Sequence, residues 1–245
     1  MVSANEADTR IPPSRRRSTR VPLADKVHDM LLVQFMNGKR PPGQRLNIEK
    51  LSRELDLSPT PVREALARLE HTGFVRREAL RGYEVAPLLG PTEIVQLMDA
   101  RLLLEPSLVA EATTRCTPEF LDELAETIGV MEKVGDEIAD GESLRQCWLA
   151  DESFHALISR QAGNPFIERA YQSLGGQLQR FRLIGEAGMS HAHSAAHEHR
   201  RIYEALSAGD AAEASARMRL HIESAKQRTL TDEKVAQEAQ QTSTS

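Results

Sequence analysis

Residues 57–74, LSPTPVREALARLEHTGF, leave the chain little freedom of architecture. Ser58 offers an N-cap and Pro59 suits a first helical turn. Val62, Leu66 and Leu69 then recur on one face, and His71-Thr72-Gly73 closes the helix. Upstream, Leu23, Val27, Met30 and Leu31 fall on one stripe that NGKRPPG interrupts, and a short helix from about Asn47 turns Ile48, Leu51 and Leu55 inward. Downstream, FVRRE and GYEVAP read as two short strands joined by a turn around Arg81-Gly82. Three helices and a β-hairpin in that order predict a winged helix-turn-helix over residues 21–89.

The outer face of the third helix is polar and basic. Thr60 stands at its N-terminal end, where a recognition helix reaches base edges, and Arg63 and Arg68 lie off the apolar stripe. An arginine fork matches guanine or phosphate bidentately. A solvated helix face would also carry arginines, but the preceding helix-turn and a wing bearing Arg76, Arg77 and Arg81 favour DNA. Charge agrees: residues 1–90 hold 16 Lys+Arg against 11 Asp+Glu, whereas residues 91–245 hold 15 against 25. A polyanion partner is therefore expected for the front part only.

The segment PPGQRLNIEKLSRELDLSPTPVREALARLEHTGFVRREALRGYEVAPL resembles the GntR family of bacterial transcription regulators. That resemblance implies that Thr60 and Arg63 contact operator DNA and that Arg81 and Gly82 form the wing tip beside the minor groove. One departure stands out. The family often carries an arginine between the serine and the threonine, and Pro59 occupies that place here. Extra contact is then expected from Arg63, Arg68 or the N-terminal arm.

After PLLGPTE, with Thr92 expected to cap the next helix, the pattern is helical to about Leu230 and shows no further strand. The fold class expected is mainly α: the winged domain followed by an all-α helical bundle over residues 92–230. Residues 1–20, with SRRRSTR and no apolar periodicity, read as a disordered basic tail, and residues 231–245 as a frayed one. No apolar run approaches the roughly 20 residues that cross a bilayer. Arg15, Arg16 and Arg17 are followed by no hydrophobic stretch, and Cys116 and Cys147 form no paired framework, so a reduced cytoplasmic setting is expected.

Within the helical part, Asp151 and His155 lie one turn apart on a face shared with Trp148, Ile158 and Ala162. A buried carboxylate without partners is costly. An Asp–His hydrogen bond inside a core would satisfy it. Two further helices widen the choice: His199 shares a stripe with Ile202, Tyr203 and Leu206, and His221 with Ala214, Met218, Ile222 and Ala225. Three helices thus aim metal-type ligands inward, a possible Asp-His₃ set. His28, His71, His191, His193 and His197 match no inward stripe and read as loop or surface residues.

This region is similar to the FCD effector domain found in one GntR subfamily. Its metal-binding members show Asp-x-x-Phe-His, Glu-His and Met-x-x-His-Leu, which stand here as Asp151 to His155, Glu198-His199 and Met218 to Ile222; Arg101 to Glu105 also fits. The resemblance implies a divalent metal on Asp151, His155, His199 and His221. Zn2+ is the expected ion, and Ni2+, Mn2+ and Fe2+ suit the same donors. It also implies an organic-acid or sugar-acid effector, whose charge Arg101, Arg145, Gln177 or Arg182 would balance. The expected protein is a homodimeric regulator, by family default a repressor, on a pseudo-palindromic operator. Two other readings remain open: a purely structural metal with a larger effector such as an acyl-CoA, and a metal-dependent hydrolase, which lacks a visible HExxH or general base.

Overall fold

In a computed structural model of the chain, the described residues are 23–36, 38–78, 82–136, 141–175, 177–178 and 188–243. The basic tail of residues 1–20 and the wing residue Arg81 lie outside them, as does Arg182.

The first unit is built from α1 (Leu23–Met36), β1 (Arg45–Leu46), α2 (Ile48–Leu55), α3 (Pro59–His71), β2 (Val75–Glu78) and β3 (Gly82–Val85). Its core joins Val27, Leu31 and Phe35 of α1 to Val62, Leu66 and Leu69 of α3, with Leu46, Leu51, Phe74 and Tyr83 completing it. Two of the residues expected on the α1 stripe turn outward: Leu23 and Met30 are exposed, and Ala24 and Phe35 take the inner positions. The stripe is therefore rotated toward α3, the helix against which α1 chiefly packs.

The turn between α2 and α3 is made by Asp56 in the left-handed region, φ 52°. Asp tolerates that conformation because its short polar side chain can bond locally. Gly73, φ 78°, then ends α3, with the Phe74 N–H donating to the Leu69 carbonyl at 2.9 Å. That closure is the glycine-dependent helix stop. The hairpin pairs Val75 with Val85 and Glu78 with Gly82. A third strand was not expected: β1 pairs with β3, Arg45 opposite Glu84 and Leu46 opposite Tyr83. Two residues carry no readable alternation, so only the pairing reveals it.

The second unit is wholly helical among the described residues: α4 (Pro91–Thr114), α5 (Pro118–Asp136), α6 (Gly141–Gln161), α7 (Pro165–Gln172), α8 (Gly188–Ser207) and α9 (Ala211–Ser243). Gly90, not Thr92, is the N-cap of α4; its N–H donates to the Glu93 carboxylate at 3.0 Å, and Thr92 sits inside the first turn. Proline at the first helical position fixes that boundary one step earlier than the threonine suggests. The last helix runs on to Ser243 instead of ending near Leu230. Ala, Glu, Gln and Lys dominate its final part, and no glycine or proline interrupts it.

In this bundle α4 lies along α9, while α5 packs on α6 and α8. One continuous core runs from Leu89 through Met98, Leu124, Phe154 and Ile202 to Ile222. Helix α1 also touches α6, so the two units meet at the helix that carries Asp151 and His155.

Candidate functional site

Helices α6, α8 and α9 bring Asp151, His155, His199 and His221 together, with one donor atom of each within 4.8 Å of all the others. The three imidazoles are buried and the Asp151 side chain is 19% exposed, which makes the carboxylate the cluster's contact with solvent. Nε2 of His199 is 3.3 Å from Nε2 of His221, and Asp151 Oδ1 lies 3.5 Å from His199 Nε2 and 3.8 Å from His155 Nε2. Neighbouring ligands about 2.0–2.1 Å from an ion stand roughly 3.0–3.3 Å apart, so the closest of these spacings approach those that a common ion would need.

The rings are turned for that use by what lies behind them. His221 Nδ1 donates to Glu198 Oε2 at 2.8 Å. His155 Nδ1 lies 2.7 Å from Glu105 Oε2, off the line of a good hydrogen bond. A carboxylate only accepts, which puts the His221 proton on Nδ1 and leaves its Nε2 lone pair pointing inward; at His155 the Glu105 carboxylate beside Nδ1 and the Arg101 donor 3.3 Å from Nε2 favour the same arrangement. His199 differs. Its Nδ1 has no hydrogen-bond partner among the described residues, and the ring stacks flat on Phe154, 4.1 Å between centroids at 6°.

Burial, reinforced by His221 and His155, pushes His199 well below the usual imidazole range; the nearby Asp151 only partly opposes it. Burial lowers His221 too, against the pull of the Glu198 hydrogen bond. Both rings are thus neutral near pH 7, the protonation state that binds metals.

Two guanidinium–carboxylate pairs frame the cluster. Arg101 Nε and Nη2 donate to Glu105 at 2.5 and 3.3 Å, and Nη2 also lies 3.3 Å from His155 Nε2. Burial opposes ionisation of both groups, yet each partner outweighs it: Glu105 is held well below the ordinary carboxylate range and Arg101 well above its own. Arg228 Nη1 and Nη2 donate to the two oxygens of Glu198 at 2.6 and 3.0 Å. Burial raises Glu198, but His221 and Arg228 overcome it and leave the carboxyl at about 2. The two pairs cancel, so Asp151 carries the charge left over.

Of the residues expected to balance an effector, Arg101 is the one among those described that borders the cluster. Arg145 is bound to Glu142 at the start of α6, and Gln177 is exposed. Sequence periodicity missed the roles of Glu105, Glu198 and Arg228, because a contact from one helix to another leaves no mark on either helix's own pattern. A partial signal existed: Arg228 follows His221 by seven residues, two turns along the same face of α9.

On the first unit, Thr60 and Arg63 are exposed on α3 and Gly82 is exposed at the start of β3, with φ 87°. Arg68 is engaged at home by Asp25 of α1. Arg76 is likewise held by Glu84, while Arg77 remains exposed on β2.

A winged helix-turn-helix joined to a helical domain with a buried polar centre defines a two-domain protein of the DNA-binding class. Comparison with known proteins agrees. Residues 23–85 match the model of the bacterial regulatory proteins, gntR family, and residues 96–224 match the FCD domain. The probable D-xylose utilization operon transcriptional repressor of Paenarthrobacter nicotinovorans is 27% identical over 195 residues, covering 80% of this chain and 83% of that protein. The solved McbR/YncC of E. coli is 25% identical with a TM-score of 0.62, covering 84% of this chain and 95% of that one. A GntR regulator from Rhodococcus sp. RHA1, at 22% identity and a TM-score of 0.67 over 85% and 97% of the two chains, shows the same fold.

The chain belongs to the GntR family of bacterial transcriptional regulators, in the group that carries an FCD domain. It is a ligand-responsive regulator and not an enzyme.

Proposed function

We propose that the protein is a homodimeric repressor whose operator affinity is set by a small carboxylate or sugar-acid effector at a divalent metal on Asp151, His155, His199 and His221. The observation that carries this reading is the convergence of four donor atoms within 4.8 Å, three of them on neutral or tautomer-fixed imidazoles. Zn2+ suits the donor set, as do Ni2+, Mn2+ and Fe2+. When bound, an ion that accepts more than four ligands would supply an electrophilic centre able to take a carboxylate beside its four protein donors.

Charge supports an anionic ligand. With Asp151 as the residual negative charge, a divalent ion leaves the centre one positive charge in excess, which a monocarboxylate neutralises. Arg101 supplies donors at the cluster's edge, and the partly exposed Asp151 side marks the approach from solvent. On the DNA side, Thr60 and Arg63 have the exposure that base contact requires, and Gly82 marks the wing. Arg68, tied to Asp25, is better suited to hold α3 on α1 or to meet a phosphate. Residues 21–89 form the DNA-binding domain and residues 92–230 the effector domain in this reading. The contact of α1 with α6 offers the route between them. A coupling of about 1–3 kcal/mol changes operator affinity roughly 5–150-fold. The protein works in the cytoplasm.

The test is a thermal-shift screen of the full chain against small carboxylates and sugar acids, with and without chelator. Acids derived from pentoses belong in it, because one relative is named for D-xylose utilization. A ligand that stabilises only in the presence of metal supports the proposal. Stabilisation that survives metal removal, or that is specific to an acyl-CoA, replaces it with a structural metal and a separate pocket.

A further inference from the structure

Resting on the metal reading above, we infer that Glu198, clamped by Arg228, is the positioning residue that decides how tightly the centre holds its ion. The three imidazoles are oriented by different means. His199 is set by its stack on Phe154, which shape alone maintains. His155 is set by Glu105, itself locked in a buried pair with Arg101. Behind its ring, His221 is set by the hydrogen bond from Nδ1 to Glu198, and that carboxylate comes from the neighbouring helix α8.

Without Glu198 the His221 proton is free to reside on either ring nitrogen. One of the two positions is Nε2, where the proton faces His199 Nε2 only 3.3 Å away and blocks the lone pair. With Glu198 in place the proton stays on Nδ1 and the ring gains basicity, the established action of a carboxylate behind a metal-binding histidine. Arg228 completes the arrangement. Its two donors meet both oxygens of Glu198 and fix the plane of the carboxylate. Arg228 lies two turns beyond His221 on α9, so the same helix supplies the ligand and the clamp, and α8 supplies the carboxylate between them.

Glu198 and Arg228 are each about one-fifth exposed. Glu198 and His221 line a small surface groove of about 140 Å³ with His197, Arg201, Arg217 and Ser224. Water can therefore solvate either group left without its partner, and substitution here disturbs orientation more than folding.

The experiment uses the full chain stripped of metal and titrates Zn2+ in competition with a chromogenic chelator. Glu198→Ala is expected to weaken Zn2+ binding about 10–100-fold. Glu198→Gln, which keeps an acceptor without the charge, and Arg228→Lys, which keeps one donor, should each lose less. Two readouts separate positioning from general damage: the unfolding midpoint of the metal-free Glu198→Ala chain should match that of the unmodified one, and the His221 ring nitrogens should change from one tautomer to a mixture by NMR. Zn2+ binding by Glu198→Ala within about twofold of the unmodified chain overturns the inference. So does a loss of affinity with the tautomer unchanged. Failure of the unmodified chain itself to bind Zn2+ overturns the metal reading and this inference with it. If Glu198→Ala does not fold, Arg228→Lys carries the test on the same two readouts.

Discussion

Arg63 and Arg101 show two opposite uses of the same side chain. Arg63 stands exposed on α3, in a unit whose core is chiefly apolar and whose buried polar groups, among the described residues, are Ser52 and Glu84, the latter held by Arg76 at the sheet. Arg101 is buried in the helical unit, in contact with Glu105 and beside a cluster of three histidines and an aspartate. The first arrangement leaves charge available for a partner and asks little of stability. The second commits charge to the interior, where each group is tolerated only because its neighbours are in place. A regulator needs both: one surface that waits for DNA and one interior that changes when a small ion or molecule enters.

The largest effect expected from this contrast is on the buried side. Glu105→Ala leaves the Arg101 guanidinium in the core without its carboxylate, and breaking a buried pair in this way costs about 3–5 kcal/mol. Urea unfolding of the metal-free chain checks it. A loss below about 1 kcal/mol would mean that water reaches Arg101 and that the two units differ less than their burial indicates.

Metal occupancy comes next. Zn2+ at 100 times its dissociation constant should stabilise the folded chain by about 2.7 kcal/mol through mass action. His199→Ala should abolish that gain, since it removes a ligand between Asp151 and His221. Calorimetric scans with and without Zn2+ decide the matter; a gain that persists in His199→Ala would place the ion elsewhere.

On the exposed side the consequence moves from folding to binding. Arg63→Ala should leave stability within about 0.5 kcal/mol of the unmodified chain, as surface changes usually do. It should weaken operator binding by about 1–3 kcal/mol if its contact is a fork on guanine. A gel-shift titration on upstream DNA reads this. Unchanged affinity would pass the reading role to Thr60, to Arg68 once freed from Asp25, or to the basic N-terminal arm.

These two regions were also unequally legible in the sequence. The DNA-binding unit could be read almost whole, because helix starts, stripes and turns such as Ser58-Pro59, Val62-Leu66-Leu69 and Gly73 are local signals, although Ser58 takes the N-cap position without a side-chain hydrogen bond. What escaped was β1, two residues long, and the rotation of α1 that exposes Leu23 and Met30. In the helical unit the inward stripes of Asp151, His155, His199 and His221 could be read helix by helix, and the fold brings the four together. Their supporting shell could not. Glu198 stands one residue before a ligand yet serves the histidine of the next helix, and Glu105 serves one on α6. Such pairings are set by how helices dock, and periodicity describes one helix at a time.

A smaller test asks whether the two units unfold separately at all. Asn47 caps α2, its side-chain oxygen accepting the Lys50 N–H at 2.9 Å. With only eight residues, α2 depends heavily on that cap and on packing against α3. Asn47→Ala should cost about 1 kcal/mol. If the N-terminal unit is an independent cooperative unit, differential scanning calorimetry will show one transition moving down by a few degrees while the Zn2+-sensitive transition stays. If both move together, the contact between α1 and α6 binds the units into one, and that contact is then strong enough to carry a signal from the histidine cluster to the recognition helix.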